Sequence, residues 1–97
     1  MVYVPLNRLR VTQGEDVLSC YRFNTMVAQH WFCSNCGIHC FHQGRSNPEA
    51  YGINAVCIEG VRAYEDFPEI QVVDGVHHAK DHGGVRRIAG ILRFEPE

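Results

Sequence analysis

The sequence predicts a mainly β protein, a single domain over residues 1–97 built from short antiparallel strands. Three observations predict it. No apolar repeat of helical period is sustained for three turns anywhere in the chain. Runs of β-branched and aromatic residues recur instead, each bounded by Gly, Pro, Asn or Asp. Between two of these runs stands Cys33-Ser34-Asn35-Cys36-Gly37, a C-x-x-C-G whose flanks are strand-like and apolar, with Trp31 and Phe32 leading in and Ile38, Cys40 and Phe41 leading out.

Taken in order, Val2-Tyr3-Val4 reads as a strand stopped by Pro5, and its start directly at Met1 reads as a chain picked up in mid-domain. Asn7 to Asp16 carries Leu6, Leu9 and Val11 beside polar residues, which predicts a short helical turn and then a loop turning at Gly14. Val17 to Phe23 is the next strand, Asn24-Thr25 a turn, and Val27 to Phe32 the strand that enters the C-x-x-C. Ile38 to His42 leaves it, so the pair forms a hairpin with the two cysteines at its tip. Gln43 to Ala50, with Gly44, Ser46, Asn47 and Pro48, is a loop by composition. Tyr51 to Ile58 is a strand buried on both sides, in which Asn54 needs an internal hydrogen-bond partner and Cys57 is a small core residue. Short pieces follow at Val61 to Tyr64 and Ile70 to Val73, a loop spans Asp74 to Gly84, and Ile88 to Phe94 is a last strand interrupted by Gly90.

The bulk composition narrows the function. Ninety-seven residues support one modest core, near the size at which a metal, a disulfide or a partner chain contributes to stability. With 45% hydrophobic and 21% charged residues and a formal charge of −2, the chain has no basic run to hold nucleic acid. Its apolar runs are too short for a membrane span, and the N-terminus lacks the pattern of a signal peptide. Five cysteines, an odd number without a signal, point to reduced thiols in the cytoplasm.

For Cys33 and Cys36 the favoured reading is a zinc knuckle. The C-x-x-C spacing lets a tight turn bring both thiolates to about 2.3 Å from one tetrahedral ion. Gly37 permits the positive φ that folds the backbone amides toward the sulfurs. Two buried cysteines at chance spacing, or a redox dithiol, are the alternatives; the second wants a helix after the pair, and no helical pattern follows Cys36. The remaining ligand-type residues, His30, His39, Cys40, His42, Cys20, Cys57, His77, His78 and His82, read mostly as structural. His78 and His82 have H-x-x-x-H spacing, which offers a Cys₂His₂ site with Cys33 and Cys36, although the intervening stretch is longer than in a finger. His39 and Cys40 are neighbours on a strand, so their side chains face opposite sides.

Tyr21-Arg22-Phe23-Asn24-Thr25, His30 to Ile38, Arg45-Ser46-Asn47-Pro48 and Tyr51 to Cys57 together resemble, in that order, the glutathione-dependent formaldehyde-activating enzyme family, which includes centromere protein V. The resemblance covers about Val4 to Ile58. It implies the Mss4-like fold, a zinc cofactor, glutathione or a related thiol as partner, and carbon–sulfur lyase chemistry on S-hydroxymethylglutathione. In the family a structural zinc is held by an N-terminal C-x-C and by the F-C-x-x-C-G pair, onto which Cys33 and Cys36 fall. A catalytic zinc is held by a further C-x-C-x-x-C that has no counterpart in residues 1–97, so the resemblance assigns metal residues but no catalytic ones. A zinc-binding assembly module is the other expectation. The knuckle is expected to be empty or completed by a nearby histidine, His30 or His39, in a monomer, or to share one zinc with a second copy of the chain in a symmetric dimer.

Overall fold

A computed structural model describes residues 1–77, 79–81 and 83–97. The histidines proposed to complete a Cys₂His₂ site, His78 and His82, lie outside the described residues. The chain forms two compact units, Met1–Glu59 and Gly60–Glu97.

The first unit is a five-stranded antiparallel sheet of order β1-β5-β4-β3-β2, with β1 Val2–Pro5, β2 Leu18–Tyr21, β3 Gln29–Cys33, β4 His39–Gln43 and β5 Ala50–Ile53. Mainly β architecture is therefore as the sequence predicts. Pro5 sits at the end of edge strand β1, where its missing N–H costs the ladder little. Between β1 and β2, 3-10 turns at Leu6–Arg8 and Glu15–Val17 replace the expected helical turn, and Gly14 bends the chain at φ 81°. Between β2 and β3, Asn24 and Met26 both take positive φ while Met26 donates its amide to the Phe23 carbonyl. This turn extends further than Asn24-Thr25, so β3 begins at Gln29 and not at Val27.

One face of the sheet carries the aromatic core. Trp31 and Phe41, paired across β3 and β4, stack with centroids 5.0 Å apart, and the edge of Tyr51 meets both rings. Leu6, Leu9, Val11 and Leu18 surround the same hollow. Among the described residues Phe41 is the one buried hydrophobic side chain. Each of these ring pairs adds about 0.5–1.5 kcal/mol beyond area burial, a large share of what so small a core can supply.

β5 ends earlier than its apolar sequence predicts. Asn54 turns the chain: its Oδ1 accepts from the Val56 amide and its carbonyl accepts from the Cys57 amide, which folds Ala55–Cys57 into a 3-10 turn. Its Nδ2 donates to the His39 carbonyl at 2.9 Å and its own amide to the Cys40 carbonyl at 2.8 Å. The internal partner expected for Asn54 is thus the β4 backbone. Local side-chain bonding of this kind competes with the strand ladder, which is why propensity alone extends the strand too far. Cys57 is correspondingly exposed and is not a core residue.

The second unit pairs β6 Glu69–Val73 with β7 Ile88–Arg93, preceded by a helix α1 at Ala63–Asp66. Arg93 and Glu69, partners across the ribbon, form an ion pair at 2.8 Å.

Replacing Asn54 by Ala removes a helix-capping acceptor and the donor to His39 in one step. It is expected to lower stability by about 1–3 kcal/mol, with Asn54→Asp, which keeps only the acceptor, falling between. Denaturant midpoints for the two variants measure this, and an unchanged Asn54→Ala midpoint would contradict the role given to the side chain.

Candidate functional site: an imidazole face and a thiolate turn

The site is built by one extra residue in β4. Trp31 pairs with Phe41 and Phe32 with His39, so Cys40 has no partner of its own and forms a β-bulge. Beyond a bulge the alternation of side chains resets. Strict alternation would set His39 and His42 on opposite faces; the bulge instead brings both to the face of His30 and Phe32, and turns Cys40 with Phe41 toward the other.

Three imidazoles meet there. His30 and His39 lie with centroids 5.4 Å apart and with Nδ1 of the first 3.4 Å from Nε2 of the second. His42 stacks on His30 at 5.6 Å and on His39 at 5.8 Å. Phe23 stacks on His30, Tyr21 on Phe23, and the Tyr3 ring meets His42 edge-on. Tyr21, Phe23, His30, Phe32 and His39 line a hollow of about 500 Å³. Gly52, opposite His42 in β5, makes room for the cluster: a Cβ there would meet His42 Cε1 at 2.6 Å and Tyr3 Cε1 at 2.9 Å.

No carboxylate hydrogen-bonds any of the three rings among the described residues. Burial, and then the neighbouring His30, hold His39 below the ordinary imidazole range. Burial followed by His30 and His39 does the same to His42, whose Nδ1 is buried with no hydrogen-bond partner. His39 and His42 are consequently neutral at neutral pH. A neutral imidazole pair in contact, against an aromatic wall, can take a proton from a bound hydroxyl and return one to a leaving group.

Cys33 and Cys36 close the β3–β4 hairpin. Gly37, at φ 79°, donates its amide to the Cys33 carbonyl at 2.7 Å, and the Cys33 amide bonds Ile38. Ser34 anchors the turn to the Val17 carbonyl through both its amide and its hydroxyl. The amides of Cys36 and Asn35, pointing at the Cys33 sulfur, and then the Cys36 thiol, favour the Cys33 thiolate and lower its pKa. Such a turn suits a soft divalent metal. The described residues contain no group of three or more His, Cys, Asp or Glu placed to hold one, so His30 and His39 do not complete the pair as the sequence reading allowed. They serve the imidazole face instead.

Sequence reasoning missed that face because it read His30 and His39 as structural residues or as candidate ligands for the Cys33–Cys36 pair, and His42 as structural. The sequence carries no separate mark of the bulge that unites them.

Comparison with known proteins follows this geometry. Residues 1–73 match the family described as glutathione-dependent formaldehyde-activating enzyme. The chain belongs to that family. It is also similar to the crystal structure of a Rhodobacter sphaeroides protein, with 46% identity and a TM-score of 0.61 over 67% of this chain and 60% of that one. The match therefore spans less than two thirds of that protein's length. No helix among the described residues is long and apolar enough to cross a membrane.

Because folding holds His39 and His42 below the ordinary value of 6.5, the unfolded chain binds protons more readily in acid. Their contribution to stability is complete above that value and is lost as pH falls through the depressed folded values. Denaturant midpoints taken from about pH 7.5 to about pH 5.5 should fall, and His42→Phe should flatten the fall. An identical slope in the variant would contradict the burial-driven shift.

Proposed function

We propose that this domain serves the carbon–sulfur lyase chemistry of its family, handling the S-hydroxymethyl adduct of glutathione or a related thiol. The observation that carries this reading is the His30–His39 contact inside an aromatic hollow. Breakdown of the adduct HO–CH₂–S–R requires the hydroxyl to lose its proton as the carbonyl forms, the C–S bond to break, and the departing thiolate to gain a proton. One imidazole accepts the first proton and the same or the adjoining one returns a proton to sulfur, so the histidine pair ends as it began. The reverse sequence joins formaldehyde to the thiol. Tyr21, Phe23 and Phe32 give the exchange an apolar, open-sided wall.

Zinc fits the turn with two donors of a tetrahedral site, Cys33 and Cys36, because both sulfurs sit on one tight turn whose amides favour the thiolate at Cys33. When bound at an open position elsewhere in such a domain, zinc would acidify a thiol and polarise an aldehyde. Residues 1–97 contain no C-x-C-x-x-C to hold that open-site ion. The chain by itself is therefore read as contributing the proton-handling face and half of a structural zinc site.

Two tests separate these elements. Ring signals of His30 and His39 should shift saturably when formaldehyde and glutathione are added together to isotope-labelled protein. Unmoved His30 and His39 signals would overturn the lyase reading and favour a zinc-binding assembly module. The same spectra should show exchange between free and adduct formaldehyde at its spontaneous rate, and a zinc-dependent acceleration by residues 1–97 would contradict the assignment of an incomplete zinc complement.

Zinc content is the second measurement. The chain is expected to hold at most one equivalent, shared between two copies if a symmetric dimer completes the four thiolates. Cys33→Ser and Cys36→Ser should each remove most of it, while Cys57→Ser leaves it unchanged. Full zinc in the Cys33/Cys36 double variant would overturn the ligand assignment.

A further inference from the structure

On the face opposite the imidazoles, the bulge at Cys40 and the 3-10 turn after Asn54 bring two more sulfurs together. The half-buried Cys40 thiol donates to the Ile38 carbonyl at 3.4 Å, and burial, followed by the Cys57 thiol beside it, raises its pKa. Both line one small groove with Arg10, Thr12 and Gln13. Their backbones are fixed by the same residue: Asn54 donates its amide to the Cys40 carbonyl and accepts the Cys57 amide. Cys57 is exposed, so the pair has an accessible member and a sheltered one.

We propose that Cys40 and Cys57 form a dithiol site that undergoes thiol–disulfide exchange with low-molecular-weight disulfides. The Cys57 thiolate attacks one sulfur of the small disulfide; that S–S bond breaks, a mixed disulfide forms on Cys57, and the first small thiol leaves with the proton Cys57 gave up. The Cys40 thiolate then attacks the Cys57 sulfur and releases the second small thiol, which takes the Cys40 proton. The protein dithiol loses two electrons and two protons, and the small disulfide is reduced to two thiols. The groove supplies what exchange at a lone surface thiol lacks: a second sulfur in reach, and Arg10 beside the entry for an anionic disulfide. The product bond would tie β4 to the turn that follows β5, next to the His39 carbonyl that Asn54 already holds.

Cys20 is an internal comparison, exposed like Cys57 but assigned no partner sulfur by the fold. The full chain, reduced and loaded with zinc so that Cys33 and Cys36 are occupied, is incubated with oxidised glutathione, acid-quenched, alkylated and mapped by mass spectrometry. A Cys40–Cys57 cross-link is expected to dominate, with glutathione retained on Cys20. Cys40→Ser should halt the sequence at a glutathione adduct on Cys57, and Cys57→Ser should leave Cys40 alkylated as a free thiol. Repeating the incubation without zinc shows whether Cys33 and Cys36 compete. The proposal is overturned if wild type and Cys40→Ser carry equal glutathione on Cys57, or if Cys40 and Cys57 are both recovered as free thiols. Circular dichroism of each variant checks that the sheet is retained, and mapping of Cys57→Ala gives a second reading should the serine variant fail to fold.

Discussion

Both faces of the sheet depend on one unpaired residue, Cys40. With Trp31 against Phe41 and Phe32 against His39, β4 has one residue more than its partner needs. Pairing it in regular register, Cys40 against Phe32, would leave His42 opposite His30 but turn His39 to the face of Trp31 and Phe41. The aromatic core, the imidazole cluster and the dithiol groove are therefore consequences of one register. Asn54 holds the register from outside the hairpin, since its amide and side chain bond the carbonyls of Cys40 and His39 in succession. A bulge locked in this way is a built feature, and its usual place beside a functional surface fits the side chains it re-aims here.

The two faces meet different physical demands. Trp31, Phe41 and Tyr51 gather the apolar contact area on one side, and a short chain has little more to offer there. On the other side, room is given to three imidazoles, one of which has a buried nitrogen with no partner. An unsatisfied buried polar atom costs about 1–3 kcal/mol, an expense that packing alone does not explain. Replacing His42 by an apolar ring would remove it. Gly52, placed where any Cβ would collide with that ring, shows that the backbone of β5 is shaped around the histidine.

The strand content was legible in the sequence because β-branched and aromatic runs between Gly, Asn and Pro leave few alternatives. Gly14 and Gly37 also declared their turns correctly, since positive φ at each is a backbone requirement that glycine meets without strain. What alternation could not show was its own interruption. Reading Tyr51 to Ile58 as one strand placed Cys57 in the core, whereas the side chain of Asn54 ends the strand and exposes it. Cys33 and Cys36 could be singled out from spacing, while the imidazole cluster could not, because its members come from β3 and both sides of the bulge in β4. Local motifs are written in consecutive residues; a face assembled by an irregular register is written only in the pairing.

The same register separates the two chemistries of the domain. Within β3, Cys33 has the parity of Trp31, and its partner in β2 is Leu18, which borders the aromatic hollow. His30 and Phe32 have the opposite parity and open onto the imidazole side. A sulfur and an imidazole on opposite faces of one sheet cannot share an ion at ligand distances of about 2.0–2.3 Å, so a metal on the Cys33–Cys36 turn must draw its other donors from beyond this face. That division leaves His30 and His39 out of reach of a metal held on the turn. Free imidazoles can cycle a proton, which metal-bound ones cannot do on both nitrogens, so under the proposed function the sheet keeps a metal on the Cys33–Cys36 turn apart from the histidine face.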